Sequence, residues 1–268
     1  MFYKKILLKD IDDRITDESV TLGIYISDRN ESVELRPGML VCPGGGYSFC
    51  STREAEPIAF RFLSEGFNCF VLNYSVNKKY PAPHFDLAVA FKYIREHEKE
   101  FDLIPNTLSI IGFSAGGHLV GSFGYLYKEL SQVLGVKESV LRPLSIIMAY
   151  PVTSLSTNTH EETFEIISGN DEELRHKMDI IYHVGSDYPP TFLWTTKDDD
   201  LVPYENTIVM EKALEEKGIH HQAVIYKSGW HGGSLVNRSC SRKGEIPEKM
   251  KEVRDWASLA ADFIFDLL

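Results

Sequence analysis

A short apolar stretch runs directly into a Gly-x-Ser-x-Gly turn and then into a helical pattern, and this order constrains the fold more than any other feature. Residues 107–118 read Thr-Leu-Ser-Ile-Ile-Gly-Phe-Ser-Ala-Gly-Gly-His, and apolar residues then recur at helical spacing. A tight strand-to-helix turn lifts the side chain of Ser114 above the edge of a sheet. Gly112 and Gly116 relieve the crowding where the two backbones approach each other. The pattern predicts a nucleophilic serine.

The pentapeptide alone is weak evidence, because glycine and serine are common and an ordinary serine in a tight turn is the plain alternative. A serine hydroxyl is a poor nucleophile at neutral pH and needs a neighbouring base. The amides of Ser114 and Ala115 would lie at a helix N-terminus, where the dipole favours developing negative charge. The catalytic interpretation therefore requires a base, an acid and further amide donors elsewhere in the chain.

Strand-like and helix-like segments alternate from residue 38 onward. This alternation is typical of an α/β protein with a mostly parallel central sheet and helices on both faces. The predicted strands are 20–27, 38–43, 67–74, 107–112, 144–150, 190–196 and 220–226. The predicted helices, besides the one after the serine turn, are 55–64, 84–100, 203–217 and 250–267. The chain has 268 residues, 43% of them hydrophobic, so we expect one domain over residues 1–268.

Two polar segments, residues 128–142 and 153–188, interrupt the alternation. The second is rich in Ser, Thr, Asp and His and lies between two predicted strands, where sheets of this kind often carry a lid. We therefore predict a small lid or cap insertion at 153–188. A surface excursion with no part in substrate binding is the alternative.

Charge and targeting signals limit the partners. A net charge of −11 argues against nucleic acid or an anionic membrane surface as the main partner. No apolar run approaches the 18 or so residues of a membrane span. The apolar stretch at residues 6–8 is shorter than the roughly 7–15 residues of a secretory signal, which favours a cytoplasmic protein. The sequence does not predict an oligomeric state.

The four cysteines show no Cys-x-x-Cys spacing. Two of them lie in predicted strands, and we expect all four to be reduced, structural thiols. They are Cys42, Cys50, Cys69 and Cys240.

A glycine-rich loop follows the predicted strand 38–43. Residues 39–47 read Met-Leu-Val-Cys-Pro-Gly-Gly-Gly-Tyr. Consecutive glycines allow the backbone to approach a ligand closely and to present bare N–H groups. We predict that the amides of Gly45 and Gly46, together with that of Ala115, form an oxyanion hole. A flexible glycine turn without a role in catalysis is the alternative.

An acid that orients a catalytic base is expected later in the chain than the serine. Residues 191–203 form an apolar strand that ends in three consecutive carboxylates. We select Asp199, because it lies at the strand tip just before the next helix. Asp198 and Asp200 are then turn or helix-cap residues. The alternatives are a solvated acidic turn and an adventitious cation site.

The base is expected on the loop after the last strand. His231 lies in Ser-Gly-Trp-His-Gly-Gly (228–233), where the glycines leave the loop free to reach over the sheet edge. The chain has nine histidines, but the others precede the acid or lie in predicted helices or strands. His118 is expected to pack beneath the serine helix. A metal pair at His220 and His221 is the less favoured alternative to incidental histidines.

Three aromatic residues adjoin the predicted catalytic loops, namely Tyr47, Tyr204 and Trp230. We predict that they line the substrate pocket, since aromatic rings also suit stacking on sugar faces. Structural packing is an equally good explanation for each of them.

Taken together, these motifs resemble the α/β-hydrolase superfamily and, more narrowly, its acetyl-xylan-esterase-like, or esterase/lipase-like, BD-FAE-type branch. The resemblance covers about residues 38–235 and implies an α/β-hydrolase fold. It also implies a Ser–His–Asp triad that cleaves short acyl esters, acetyl esters above all, of sugars or xylo-oligosaccharides through an acyl-enzyme. No organic cofactor and no catalytic metal are implied. The matching stretches are 41–47, 54–59, 71–74, 112–119, 198–203 and 231–232.

The chain departs from the family pattern at three positions. Pro43 stands where the glycine loop of lipases and esterases has His, Ser75 stands where relatives commonly carry Arg, and Thr196 replaces a frequent Gly. The change at Ser75 concerns local pairing rather than chemistry.

Two other functions share the same motifs. One is an exopeptidase of the prolyl-oligopeptidase type, which shares the fold and triad but usually carries a large N-terminal propeller. The chain ahead of strand 38–43 is too short for a propeller, and we expect none. The other is a non-catalytic binding protein on a hydrolase scaffold, which the presence of all three triad residue types disfavours.

Overall fold

The computed structural model describes residues 1–29, 33–154, 160–169 and 171–268, and its centre is one large sheet. Within these residues, eight strands pair in the order β1-β2-β4-β3-β5-β6-β7-β8. The β1–β2 and β2–β4 pairs are antiparallel, and all later neighbours are parallel. The strands are β1 (Phe2–Leu7), β2 (Thr21–Ile26), β3 (Arg36–Cys42), β4 (Asn68–Asn73), β5 (Leu103–Phe113), β6 (Ile146–Ala149), β7 (Thr191–Thr196) and β8 (His221–Tyr226).

Helices cover both faces of this sheet. The α-helices of the described residues are α1 (Glu56–Ser64), α2 (Ala82–Glu96), α3 (Ala115–Leu134), α4 (Glu138–Leu141), α5 (Glu161–Ser168), α6 (Glu172–Lys177), α7 (Glu205–Glu216) and α8 (Trp256–Phe265). Short 3-10 helices occupy Leu8–Asp10, Thr52–Glu54, Ile180–Tyr182 and Pro247–Asp255. In the described part of the chain, none of these helices is long and apolar enough to cross a membrane.

Alternate residues of the central strands point to two different cores, as the pleat of a strand requires. On β5, Ile110 is buried with the apolar faces of α2, α3 and α7, whereas Ile111 is buried with α1 and α8. This two-sided burial explains why the central strands are nearly continuous apolar runs. The predicted α/β architecture, with a mostly parallel sheet between two helical layers, is confirmed.

All seven predicted strands occur, but the structure differs from the sequence prediction in three other segments. Strand β1 was not predicted, because its residues Phe2–Leu7 are largely exposed and include two lysines, so apolar periodicity is weak at this edge. The predicted break at 128–142 is also wrong in its first half, since α3 continues to Leu134. The C-terminal segment is divided into the 3-10 helix Pro247–Asp255 and the shorter helix α8.

The segment 153–188 is partly described, and residues 155–159 and 170 lie outside the described part. Helix α5 and the 3-10 turn Ile180–Tyr182 pack on the α3 side of the sheet through buried side chains such as Phe164 and Ile180, and α6 contributes the partly buried Leu174. The lid remains a prediction.

The cysteines of the chain are unpaired thiols, as expected. Cys42, Cys69 and Cys240 are buried, and Cys50 is half-buried. Burial raises the pKa of the Cys50 thiol to about 11, so it stays protonated at neutral pH.

Asp86 is a buried carboxyl group on α2 that, within the described residues, forms no ion pair. Its Oδ2 accepts a hydrogen bond from the backbone N–H of Ser75 at 2.7 Å. Burial raises the pKa of Asp86 from 3.8 to about 6, and the hydrogen bonds from Ser75 offset only part of this rise. Ser75, one of the three departures from the family pattern, is thus the residue whose backbone N–H binds this buried carboxyl group.

We expect Asp86→Asn to change the pH dependence of stability. Because the pKa of Asp86 is raised on folding, its protonation favours the folded state; this contribution is complete at low pH and is lost as the pH rises through about 6. Asparagine keeps an acceptor for Ser75 and cannot ionise. The free energy of unfolding of the variant, relative to the native chain, should therefore rise by about 2 kcal/mol between pH 4.5 and 7.5. Denaturant unfolding at the two pH values measures this, and a pH-independent difference would contradict the assignment.

Candidate active site

Ser114 lies on a sharp turn between β5 and α3. Its backbone has φ 53° and ψ −117°, a conformation that is strained for a residue with a side chain. A Cβ atom on Gly112 would lie 2.0 Å from the carbonyl oxygen of Gly116. A Cβ atom on Gly116 would lie 2.3 Å from the carbonyl oxygen of Cys42. Both glycines are therefore required for this approach of strand and helix, as the sequence predicts.

Three side chains from distant loops form one hydrogen-bonded chain. His231 Nε2 lies 2.8 Å from Ser114 Oγ, and His231 Nδ1 lies 2.8 Å from Asp199 Oδ2. His231 and Asp199 are each only 8% exposed. The carboxylate accepts only, so Nδ1 carries the proton, and Nε2 is left to accept from the serine hydroxyl.

Asp199 is held by the turn that follows β7. Its Oδ1 accepts hydrogen bonds from the backbone N–H groups of Leu201, at 3.1 Å, and Val202, at 2.8 Å. The neighbouring Asp198 instead accepts from the hydroxyl of Ser228 at the surface, and Asp200 is exposed. Among the three aspartates, the structure brings Asp199 alone to His231.

The glycine loop after β3 passes beside the serine. A Cβ atom on Gly44 would lie 3.2 Å from the Cβ atom of Ser114. The N–H of Gly44 donates to Glu54, whereas those of Gly45 and Gly46 donate to no acceptor within the described residues. Both of these glycines have a positive φ, 132° and 63°. The two amides of this loop that the sequence predicts as oxyanion donors are thus the ones without an acceptor in the described part of the chain.

Ala115 is the first residue of α3, so no carbonyl of the helix accepts its N–H. Gly45 and Gly46 of the glycine loop line the same cavity as Ser114, the residue that directly precedes this amide. Aligned amides at a helix N-terminus stabilise a negative charge, so the arrangement suits an oxyanion.

A cavity of about 480 Å³ opens over Ser114. Its walls include several residues that the sequence interpretation missed: Phe49, Arg53, Glu54, His160, Glu162 and Arg242. Phe49 is 57% exposed and lies next to the glycine loop. These residues come from separate loops, a 3-10 helix and the start of α5, so only the fold shows that they meet.

The predicted pocket aromatics are only partly in place. Tyr47 is fully buried beneath the glycine loop and does not line the cavity, because its positive φ of 62° directs the side chain inward to His118. Tyr204 is half-buried ahead of α7 and is also absent from the cavity wall of the described residues. Trp230 lines an adjacent cavity of about 550 Å³, which shares His231 and Leu201 with the first.

His118 packs beneath the serine turn, as expected. Its Nε2 donates to the carbonyl oxygen of Met178 at 2.8 Å, so its Nδ1 accepts from the Tyr47 hydroxyl, also at 2.8 Å. Burial lowers the pKa of His118 to about 4, which keeps the ring neutral. The side chain of His118 therefore anchors the glycine loop from below.

The alternative metal pair is not assembled. His220 stacks on the ring of Phe263, and His221 Nδ1 lies 2.7 Å from the carbonyl oxygen of Ile219. Across the described residues, no group of three or more His, Cys, Asp and Glu side chains is arranged to hold a metal ion.

The model of the BD-FAE family matches residues 22–214. The chain belongs to this family. The acetyl ester-xyloside bifunctional hydrolase from Caldicellulosiruptor lactoaceticus has the same fold, with a TM-score of 0.82, 32% identity, and coverage of 98% of this chain and 96% of that one. The α/β-hydrolase fold and the family resemblance are therefore confirmed, and the domain is an esterase-like α/β-hydrolase of the BD-FAE family.

Two curated relatives extend the comparison. Endo-1,4-beta-xylanase B of Butyrivibrio fibrisolvens is 32% identical over 217 residues, which is 78% of this chain and 34% of that protein. The acetylxylan esterase of Xylanibacter ruminicola is 28% identical over 214 residues, 71% of this chain and 39% of that protein. The chain of this BD-FAE member thus spans well under half the length of these two relatives.

The three adjacent aspartates allow a matched test of the acid. We expect Asp199→Asn to lower kcat by about 10³- to 10⁴-fold, because an amide no longer holds the imidazole in the tautomer that accepts the serine proton. Asp198→Asn removes a surface carboxylate one residue away and should leave kcat within about twofold. Steady-state hydrolysis of an aryl acetate measures both. Equal effects of the two substitutions would contradict the selection of Asp199.

Proposed function

We propose that this domain is a serine carboxylesterase that removes short acyl groups, acetyl above all, from sugars or xylo-oligosaccharides. The observation that carries the proposal is the hydrogen-bonded chain from Ser114 through His231 to Asp199, beside amides that have no acceptor among the described residues. The relatives named for acetyl esters and xylan support the substrate class.

Acylation begins at Ser114. His231 Nε2 accepts the hydroxyl proton as Oγ attacks the carbonyl carbon of the ester, and Asp199 stabilises the imidazolium that forms. The carbonyl oxygen becomes an oxyanion held by the amides of Gly45, Gly46 and Ala115, each donor contributing about 3 kcal/mol. The C–O bond to the alcohol then breaks, and His231 gives its proton to the leaving oxygen.

Deacylation repeats the same chemistry with water. His231 takes a proton from the water as its oxygen attacks the acyl carbon, and the tetrahedral intermediate uses the same amides. The bond to Ser114 Oγ breaks, the carboxylic acid leaves, and the serine regains its proton from His231. Because a protonated imidazole cannot accept the serine proton, we expect activity to fall in acid.

The shape of the cavity favours a small acyl group on a larger polar alcohol. A volume of about 480 Å³ exceeds what an acetyl group alone fills. Its lining combines the exposed ring of Phe49 with charged groups, among them Arg53 and Glu162. An aromatic face with nearby hydrogen-bonding groups suits a sugar ring, which has apolar C–H faces and polar hydroxyls.

Ser114→Ala tests the nucleophile. Without the hydroxyl no acyl-enzyme forms, so the burst of p-nitrophenol from p-nitrophenyl acetate should disappear. Ser131→Ala, on the same helix but bonded to the Tyr127 carbonyl, should keep the burst. Stopped-flow absorbance measures both, and an undiminished burst in Ser114→Ala would reject the proposal.

A second test concerns the alcohol. We expect Phe49→Ala to lower kcat/KM about tenfold for acetylated xylobiose, and less for p-nitrophenyl acetate, because the sugar loses an aromatic contact. Phe60→Ala removes a comparably exposed ring on α1 and serves as the control. Acetate release, compared with a series of acetyl, butyryl and octanoyl aryl esters, measures both acyl and alcohol preference. An equal loss for both acetates would argue against a sugar at Phe49.

A further inference from the structure

Glu54 is a nearly fully buried carboxylate at the end of the 3-10 helix Thr52–Glu54, and it is not part of the hydrogen-bonded chain described above. Its Oε2 accepts the N–H of Gly44 at 3.0 Å. Its Oε1 accepts the hydroxyl of Tyr150 at 2.6 Å. The two carboxylate oxygens therefore accept hydrogen bonds from two different loops of the site.

Tyr150 directly follows β6 and is only 2% exposed. Its ring meets the imidazole of His231 edge to face, with centroids 5.0 Å apart. Its hydroxyl oxygen also accepts the backbone N–H of Ser234, three residues beyond the histidine, at 3.2 Å. The side chain of Tyr150 thus contacts the histidine loop with both its ring and its hydroxyl.

Arg53 strengthens the same connection. Its guanidinium donates to the carbonyl oxygen of Gly232 at 3.0 Å, and its own carbonyl oxygen accepts the hydroxyl of Ser234 at 2.8 Å. The segment directly after His231 is therefore held by Arg53 and Tyr150, one of which precedes Glu54 in the chain and the other of which is hydrogen-bonded to it.

We propose that Glu54 and Tyr150 are a positioning pair that holds the oxyanion amides and His231 in one geometry around Ser114. The inference rests on the proposed function, because it assigns the pair to acyl transfer at that site. Neither side chain touches the reacting atoms. Glu54 fixes Gly44, which lies against the Cβ of Ser114, and Tyr150 transmits the same constraint to the histidine loop.

A carboxylate is needed because both partners donate. The Gly44 amide and the Tyr150 hydroxyl each require an acceptor, and a glutamine offers only one oxygen. In Glu54→Gln, one donor faces an NH2 group, and the buried network is left partly unsatisfied. The loops then lose their fixed separation, and a shift of a fraction of an ångström at an oxyanion donor is costly for the transition state.

The chain contains a matched control pair. Tyr25 donates to Glu56 Oε1 at 2.7 Å, a tyrosine–glutamate hydrogen bond of the same kind between β2 and the more exposed start of α1, away from the cavity. Glu56→Gln and Tyr25→Phe therefore remove the same chemistry without touching the catalytic loops.

The experiment measures kcat and KM for p-nitrophenyl acetate, together with thermal unfolding, in Glu54→Gln, Tyr150→Phe and the double variant. We expect kcat to fall about 30-fold in Glu54→Gln and about fivefold in Tyr150→Phe, with KM within threefold. Because the two residues are coupled through the hydrogen bond between them, the double variant should lose less kcat than the product of the two single losses. The two control variants should keep the native kcat.

A folded Glu54→Gln enzyme with native kcat would overturn the inference, as would losses that multiply in the double variant. If Glu54→Gln does not fold, Tyr150→Phe decides alone, since it keeps the ring against His231 and removes only the hydroxyl; native kcat there overturns the inference too. Native protein without a Ser114-dependent burst would reject the proposed function itself. A normal burst with unaffected positioning variants would reject only the positioning pair.

Discussion

The contact between the end of β5 and the start of α3 sets the geometry of everything around it. Two glycines permit the backbones to meet at distances that no side chain tolerates, and the residue between them is forced into a strained conformation. The same approach presses α3 against the end of β3, so the serine and the glycine loop share one support. A larger residue at Gly112 or Gly116 would separate them.

Parallel strand order then brings the remaining groups to this point. The loops after β3, β5, β6, β7 and β8 all leave the sheet at its carboxyl edge, which is where open α/β sheets carry their sites. Residues far apart in the chain, such as Ser114 and His231, become neighbours although β6 and β7 separate the strands that precede them. Buried hydrogen bonds, rather than local sequence, then determine their exact spacing.

Much of this arrangement follows from the sequence, because its signals are local. Ser114, Asp199 and His231 each stand where an apolar run ends in turn residues, so their chain positions predict a common edge. Glu54 carries no such signal, and a glutamate is usually solvated; Tyr150 ends a predicted strand, but nothing local indicates that it pairs with a residue 96 positions away. The opposite error occurs at Tyr47. Its place beside the glycine loop predicts a pocket residue, but its backbone conformation directs the ring into the core. Strand β1 escaped prediction because its stability comes from pairing with β2.

Part of the cavity wall comes from the segment between β6 and β7. His160 and Glu162 belong to a segment that packs through its own apolar residues, such as Phe164, and whose described residues contribute no strand to the sheet. Substitutions in that segment can change the wall of the cavity while Ser114, His231 and Asp199 keep their hydrogen bonds. The cavity wall and the hydrogen-bonded chain around Ser114 can therefore change independently of each other during evolution.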